Sequence, residues 1–130
     1  MRFTFTKEER LKSKKLIQQL FEHGSSISNF PLRMVYLKID HGTSYPIQAT
    51  FSVPKRKLKR AVDRNRIKRL MREAYRLSKH TLYRRIADKY IIMFTYLDEK
   101  EHKYVDIEDK MEKLIDKFVR KNKKEIHEED

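Results

Sequence analysis

Arg60, Arg64, Lys68, Arg72 and Arg76 recur every four residues, with Asn65, Arg66 and Arg69 between them. On a helix, four residues advance about 6 Å, a spacing comparable to the phosphate repeat of one nucleic-acid strand. Arginine outnumbers lysine across positions 60 to 76, which favours forked phosphate contacts and stacking over simple neutralisation. Residues 54–76 hold 11 basic and 2 acidic side chains, so 11 − 2 = +9 of the chain's net +13 is concentrated there. A helix stabilised by ion pairs would alternate sign at i and i+4. This one is expected to lack partners and to repel itself until an anion arrives, which makes nucleic acid or an anionic membrane the first partner to consider.

Polypeptide catalysis finds little support. His23, His41, His80, His102 and His127 are scattered, and no HExxH or EF-hand spacing occurs. Asp98, Glu99, Glu101, Asp106, Glu108 and Asp109 fit a solvated loop followed by a helix start. No catalytic residue and no metal ligand is therefore predicted. Zero Cys removes disulfides and thiolate chemistry, and two Gly are too few for a glycine-rich phosphate loop. The most apolar run, Tyr90 to Leu97, is too short to cross a bilayer, and Met1 to Lys15 lacks the apolar stretch of a secretory signal. A soluble intracellular protein with no membrane partner is expected.

The 130 residues, 38% hydrophobic, suit one small domain with one modest core. A first helix is predicted over about 13–23, capped by Ser13, with Leu16, Ile17, Leu20 and Phe21 at helical spacing and Gly24 at a left-handed C′ position. After the polar stretch Ser25 to Asn29, residues 32–39 and 47–53 alternate as strands and are expected to form an antiparallel pair. Pro54 ends the second. A helix over roughly 60–78 turns Ile67, Leu70, Met71, Ala74 and Leu77 or Ser78 inward and its basic side outward. Residues 80–89 read as a turn plus one helical turn, and 90–97 as a strand in the middle of the sheet. Asp106 is the predicted N-cap of a last helix with Ile107, Met111, Leu114, Ile115 and Phe118 on one stripe. The domain is placed at 1–124, with 125–130 a fraying polar tail. The sum is an α+β fold with helices packed on a sheet.

The run Arg64-Asn65-Arg66-Ile67-Lys68-Arg69 resembles the RNR signature of the protein subunit of bacterial ribonuclease P. The likeness extends to Phe51-Ser52-Val53, Lys55-Arg56, Ala61-Val62, Arg72, Leu11-Lys12, Leu20-Phe21, His23-Gly24 and Tyr90-Ile91-Ile92, and so spans about residues 10 to 120.

That resemblance implies an α-β-β-β-α-β-α sandwich, a four-stranded sheet with a left-handed βαβ crossover. It implies an accessory subunit of an endoribonuclease in which RNA is the catalyst, removing the 5′ leader of precursor tRNA. Partners would be one catalytic RNA, in a 1:1 complex, and precursor tRNA, in the bacterial cytoplasm. Magnesium would be bound chiefly by RNA, with no organic cofactor. Carried over by position, Arg64, Asn65, Arg66, Lys68, Arg69 and Arg72 would touch RNA, and the ridge reading adds Arg60 and Arg76. Ile17, Phe21 and Tyr36, or its neighbour Val35, would line a leader cleft edged by Ser52, Lys55 and Arg56. Ile17 stands where relatives often carry an aromatic residue. Phe3 and Phe5 are not placed on the family's pattern and are expected to seal a hydrophobic edge.

Blander readings compete. Residue preference alone puts Phe21 and Tyr36 in the core, and Arg66 could pair with Glu73 or with the acidic C-terminal third. A structural RNA-binding protein of ribosomal type is the rival function, and a stand-alone nuclease using the C-terminal carboxylates is a third. A helix-turn-helix DNA binder fits poorly, because the basic helix follows strands.

Overall fold

The computed structural model describes residues 4–128, with side chains through Asn122; Phe3 lies outside the described residues. A 3-10 turn at Lys7–Glu9 precedes α1 (Lys14–His23), β1 (Ser25–Asn29), β2 (Leu32–Lys38), β3 (Ile47–Ser52), α2 (Ala61–Arg85), β4 (Tyr90–Tyr96) and α3 (Tyr104–Glu128). The sheet order is β1-β2-β4-β3. β4 lies antiparallel to β2 and parallel to β3, with α2 as the crossover. The expected antiparallel pairing of 32–39 with 47–53 is thus corrected. β4, the most apolar strand, takes the place between them, because it alone has residues suited to burial on both faces.

Period-two alternation divides the sheet into two surfaces. Leu32, Met34, Tyr36, Ile47, Ala49, Tyr90, Ile92 and Phe94 pack under α2 and α3. Val35 and Ile91, with Leu37 and Met93, pack on Leu16, Ile17 and Leu20 of α1. Each helix is held by a stripe at helical spacing: Ile67, Met71, Ala74, Tyr75 and Leu82 from α2, and Ile107, Met111, Leu114, Ile115 and Phe118 from α3.

Local predictions fared unevenly. Ser13 caps α1 as expected, its Oγ accepting from the Leu16 amide at 3.2 Å. Gly24 is not left-handed, with φ −72° and ψ 155°. It is needed for close approach instead, since a Cβ there would sit 2.4 Å from the Leu20 carbonyl and 3.0 Å from Val35 Cγ1. Ser25–Asn29 is a strand, held by pairing to β2 despite its polar composition. α2 runs on through the segment read as a turn because Lys79 and Leu82 continue its buried stripe. α3 begins at Tyr104, so Asp106 sits inside its first turn, and the helix continues to Glu128 through most of the tail expected to fray.

Burial of Glu9 and Lys79 was not foreseen. Glu9 Oε2 accepts from Lys79 Nζ at 2.5 Å and from the Tyr83 hydroxyl at 2.6 Å, and Oε1 accepts from the Thr6 amide at 3.0 Å. Lys79 also donates to the Thr4 carbonyl. Burial alone would raise the Glu9 pKa, but the hydrogen bonds from Lys79, Tyr83 and Thr6 outweigh it and bring it below the ordinary 4.5. A carboxyl with a lowered folded-state pKa stabilises above its unfolded value and loses that contribution as pH falls through the lowered one. Glu9→Gln strands a buried ammonium and is expected to cost about 3 kcal/mol at neutral pH. It should also flatten the acid limb of the stability curve below pH 4.5, as chemical denaturation across pH will show.

Candidate nucleic-acid interface

β3 and β4 run in the same direction, so the loops that follow them, residues 53–60 and 97–103, leave from one end of the sheet. The β1–β2 turn reaches the same end, where the Leu97 amide donates to the Pro31 carbonyl at 2.7 Å. The N-terminus of α2 starts there too. Carboxyl ends of parallel strands are where open sheets commonly receive ligands, because the chain turns away from the sheet and leaves a crevice.

Burial of the Ile67, Met71 and Tyr75 stripe decides which cations face water. Arg60, Asn65, Arg66, Arg69 and Arg72 are exposed, and Lys68 is half-buried. The side chains of Lys68 and Arg69 make no hydrogen bond or ion pair among the described residues. Arg72 Cζ lies 5.9 Å from the centre of the Phe51 ring and has no carboxylate partner among those residues. The expectation of a wholly unpartnered ridge is corrected at its ends and on one flank. Arg60 Nε is 3.7 Å from Asp63, Arg76 Nε donates to Glu73 at 3.0 Å, and Arg66 Nε donates to Glu101 at 3.0 Å. These pairs lie at the surface, where an ion pair holds weakly against a polyanion.

Arg64 has a different task. Its Nη1 donates to the carbonyls of Leu58 at 3.0 Å and Lys59 at 2.7 Å, which staples the 53–60 loop to α2. The loop presents Lys55 and Arg56 to solvent. Glu101 is positioned by its own loop. Tyr96 donates to the Lys100 carbonyl and accepts from the His102 amide at 3.1 Å, and His102 Nε2 lies 2.6 Å from Asp98. Burial pushes the Tyr96 hydroxyl up to about 12, so it stays a donor. The His102 hydrogen bond holds the Asp98 carboxyl below its ordinary value.

The second surface is the sheet face that α1 covers only in part. Ser28, Arg33, Thr95 and Ser52 form one polar row across the four strands. Ser26, Val35, Met93 and Thr50 form the next. Tyr36, named for the cleft, faces the other way, its ring 4.9 Å from Phe118 under α3. Val35 is the residue under α1, because neighbours on a strand take opposite faces. Phe21 is 65% exposed while Leu20 is fully buried. Near 100° per residue, Phe21 lies on the flank of α1 that carries Ile17, beside the core rather than in it. Arg33 and Thr95 were missed in sequence. The parity of β2 could have found Arg33, two residues before Val35 on the same face.

The structure therefore brings Lys68, Arg69 and Arg72 to one face and gathers Ile17, Val35 and Ser52 on another, with Lys55 and Arg56 on the loop at the end they share. Surfaces and topology together define an RNA-binding α+β domain. A Ribonuclease P family model matches residues 5–119. The chain is 37% identical over 117 residues to the ribonuclease P protein component of Porphyromonas gingivalis, covering 87% of this chain and 85% of that one. To the Borreliella afzelii protein component it is 36% identical over 107 residues, covering 81% and 91%. The fold matches the ribonuclease P proteins of Staphylococcus aureus, with TM-score 0.69, 21% identity and coverage of 85% and 94%, and of Thermotoga maritima, with TM-score 0.67, 21% identity and coverage of 84% and 96%. The chain belongs to the ribonuclease P protein family, as a subunit of that ribonucleoprotein endoribonuclease.

Two consequences follow from the placements. Phe21→Ala should leave denaturant stability within about 0.5 kcal/mol of the parent, whereas Leu20→Ala should lose about 3 kcal/mol. Glu101→Gln releases Arg66 and should tighten binding to structured RNA by about two- to fivefold at low salt; filter binding that shows weaker or equal affinity means Arg66 does not exchange Glu101 for phosphate.

Proposed function

We propose that α2 and the 53–60 loop bind the catalytic RNA of ribonuclease P, while the half-covered sheet face holds the 5′ leader of precursor tRNA. The observation that carries this reading is the juxtaposition of two unlike surfaces at one end of the sheet. Lys68, Arg69 and Arg72 offer donors for phosphates, and phosphate contacts fix position without reading sequence. The crevice has Phe21 and the half-buried Ile17 for bases and the Ser28, Arg33, Thr95 and Ser52 row for the backbone of a single strand.

In this reading divalent cations, held chiefly by the RNA, would supply the Lewis acidity for phosphodiester hydrolysis. Among the described residues no three His, Asp or Glu converge on a point where a metal could sit. The polypeptide screens phosphates and orients the substrate. One protein would serve one RNA, in the bacterial cytoplasm; no described helix is long and apolar enough to cross a membrane.

Reconstitution tests the reading. Protein freed of RNA by nuclease should not cleave precursor tRNA with magnesium, and adding back the co-purifying RNA should restore leader removal. Neutralising ~6 phosphates predicts a log–log salt slope near −4 to −5, and a flat dependence refutes the phosphate assignment. Lys68→Ala and Arg69→Ala should each weaken catalytic-RNA binding and lower the slope by about 1. Phe21→Ala should leave RNA binding intact and reduce the preference for precursor over mature tRNA. An unchanged preference removes the leader from this cleft.

A further inference from the structure

Where the α2 ridge meets the open sheet face, one groove is lined by cations and, among the described residues, by no carboxylate. It measures about 270 Å3 at the outer edge of β3 and is lined by Phe5, Arg10, Leu11, Lys12, Ala49, Thr50, Phe51 and Arg72. In two other grooves a lining cation is paired with an acid, Arg85 with Asp116 and Lys79 with Glu9. In this one, Arg10, Lys12 and Arg72 meet no carboxylate among the described residues. We propose that Arg10 and Arg72 clamp a single phosphodiester group of an RNA ligand in this groove, an inference that rests on the RNA-binding reading above.

The groove is built rather than incidental. Phe5 stands edge-on to Phe51 at 6.0 Å and to Tyr75 at 5.8 Å. Arg10 Cζ lies 5.7 Å from the Phe5 ring centre and Arg72 Cζ 5.9 Å from that of Phe51. A guanidinium resting on a ring keeps its in-plane N–H donors free at the edge. It also enters the complex with less rotamer freedom to lose. Arg10 is further restrained by Nη2 donating to the Phe5 carbonyl at 3.5 Å. The strap carrying Phe5 and Arg10 is anchored at both ends, by the Thr4 carbonyl accepting from Lys79 and by the Leu11 amide donating to the Ala49 carbonyl at 2.9 Å, with Glu9 held by Lys79 and Tyr83 between them. Thr50 belongs to the open sheet face and Arg72 to the cationic face of α2, so the groove lies where the two surfaces meet. Forked donors from two sides suit a phosphate with two free oxygens.

The test measures binding of the parent, Arg10→Ala, Arg72→Ala and the double variant over a range of salt. The probes are the co-purifying RNA alone, and precursor tRNAs with short or long leaders on the reconstituted particle. Each single variant should lose about tenfold and lower the salt slope by about 1. The double variant should lose much less than the product of the two, because both side chains hold one group. Arg10→Lys should recover only part of the loss, since an ammonium neutralises without forking. A loss confined to long leaders assigns the phosphodiester to the leader; a loss with the RNA alone assigns it to the catalytic RNA. Parent-like binding by Arg10→Ala while Lys68→Ala is impaired overturns the clamp and leaves the general reading standing. Multiplicative losses with the slope lowered by about 2 overturn it as well, by showing two independent phosphates. Failure of the underlying reading looks different, because the parent itself would then show no salt-dependent binding.

Discussion

Burial of one stripe of α2 against the sheet is the constraint from which the rest follows. Ile67, Met71, Ala74, Tyr75 and Leu82 lose essentially all contact with water. Covering the larger of them contributes roughly 2 kcal/mol apiece. Two unit charges 6 Å apart in water repel by roughly 0.7 kcal/mol before salt screens them. Packing therefore wins easily over self-repulsion, and the helix can carry a cationic face that nothing in the chain fully neutralises. Turning α2 to hide Lys68 and Arg69 would expose the stripe. Fold stability and RNA-facing charge are set by the same rotation about one axis.

The sheet solves a second problem by using its two faces differently. α2 and α3 close one face with an aromatic cluster in which Phe51 stacks on Phe94 at 5.6 Å and Tyr75 lies 5.3 Å from Phe94. α1, only ten residues long, covers the other face in part. Gly24 lets the chain leave α1 tight against Val35 and enter β1 without a longer loop, which holds the helix close over the apolar rows and leaves the polar row open. The two surfaces then share an end because β3 and β4 are parallel. Had residues 32–39 and 47–53 paired directly, the 53–60 loop and the 97–103 loop would not be obliged to leave the sheet side by side.

Much of this was legible in the residues. The cationic spacing, the α1 cap, the stripes of α2 and α3 and the apolar middle strand are periodic local signals, and they located every helix and three of the four strands. What escaped detection was non-local. Ser25–Asn29 has no strand signal of its own and is a strand because β2 offers it partners. Tyr36 and Val35 could not be told apart without the sheet's facing, although Leu32 and Met34 share the parity of Tyr36. That Arg66 could pair with the acidic C-terminal third was open in the sequence, but Glu101 as the partner was not, because its loop is organised by Tyr96 and by Asp98 with His102, contacts that composition does not announce. The Glu9–Lys79 pair was hidden for the same reason, since two charged residues look solvated until the fold encloses both. The resemblance to the family supplied strand count and cleft, but it could not place Phe5, whose neighbours Phe51 and Tyr75 come from elements distant in the chain.

Lysine-reactivity footprinting tests the orientation of α2 most directly, by comparing acetylation of the free protein with that of the RNA complex. Lys68, on the cationic face, should become protected, whereas Lys113 on the outer side of α3 should react equally in both states. Protection of Lys113 with Lys68 unchanged would contradict the account, because the RNA would then lie on α3 and not on the ridge that the buried stripe of α2 turns outward.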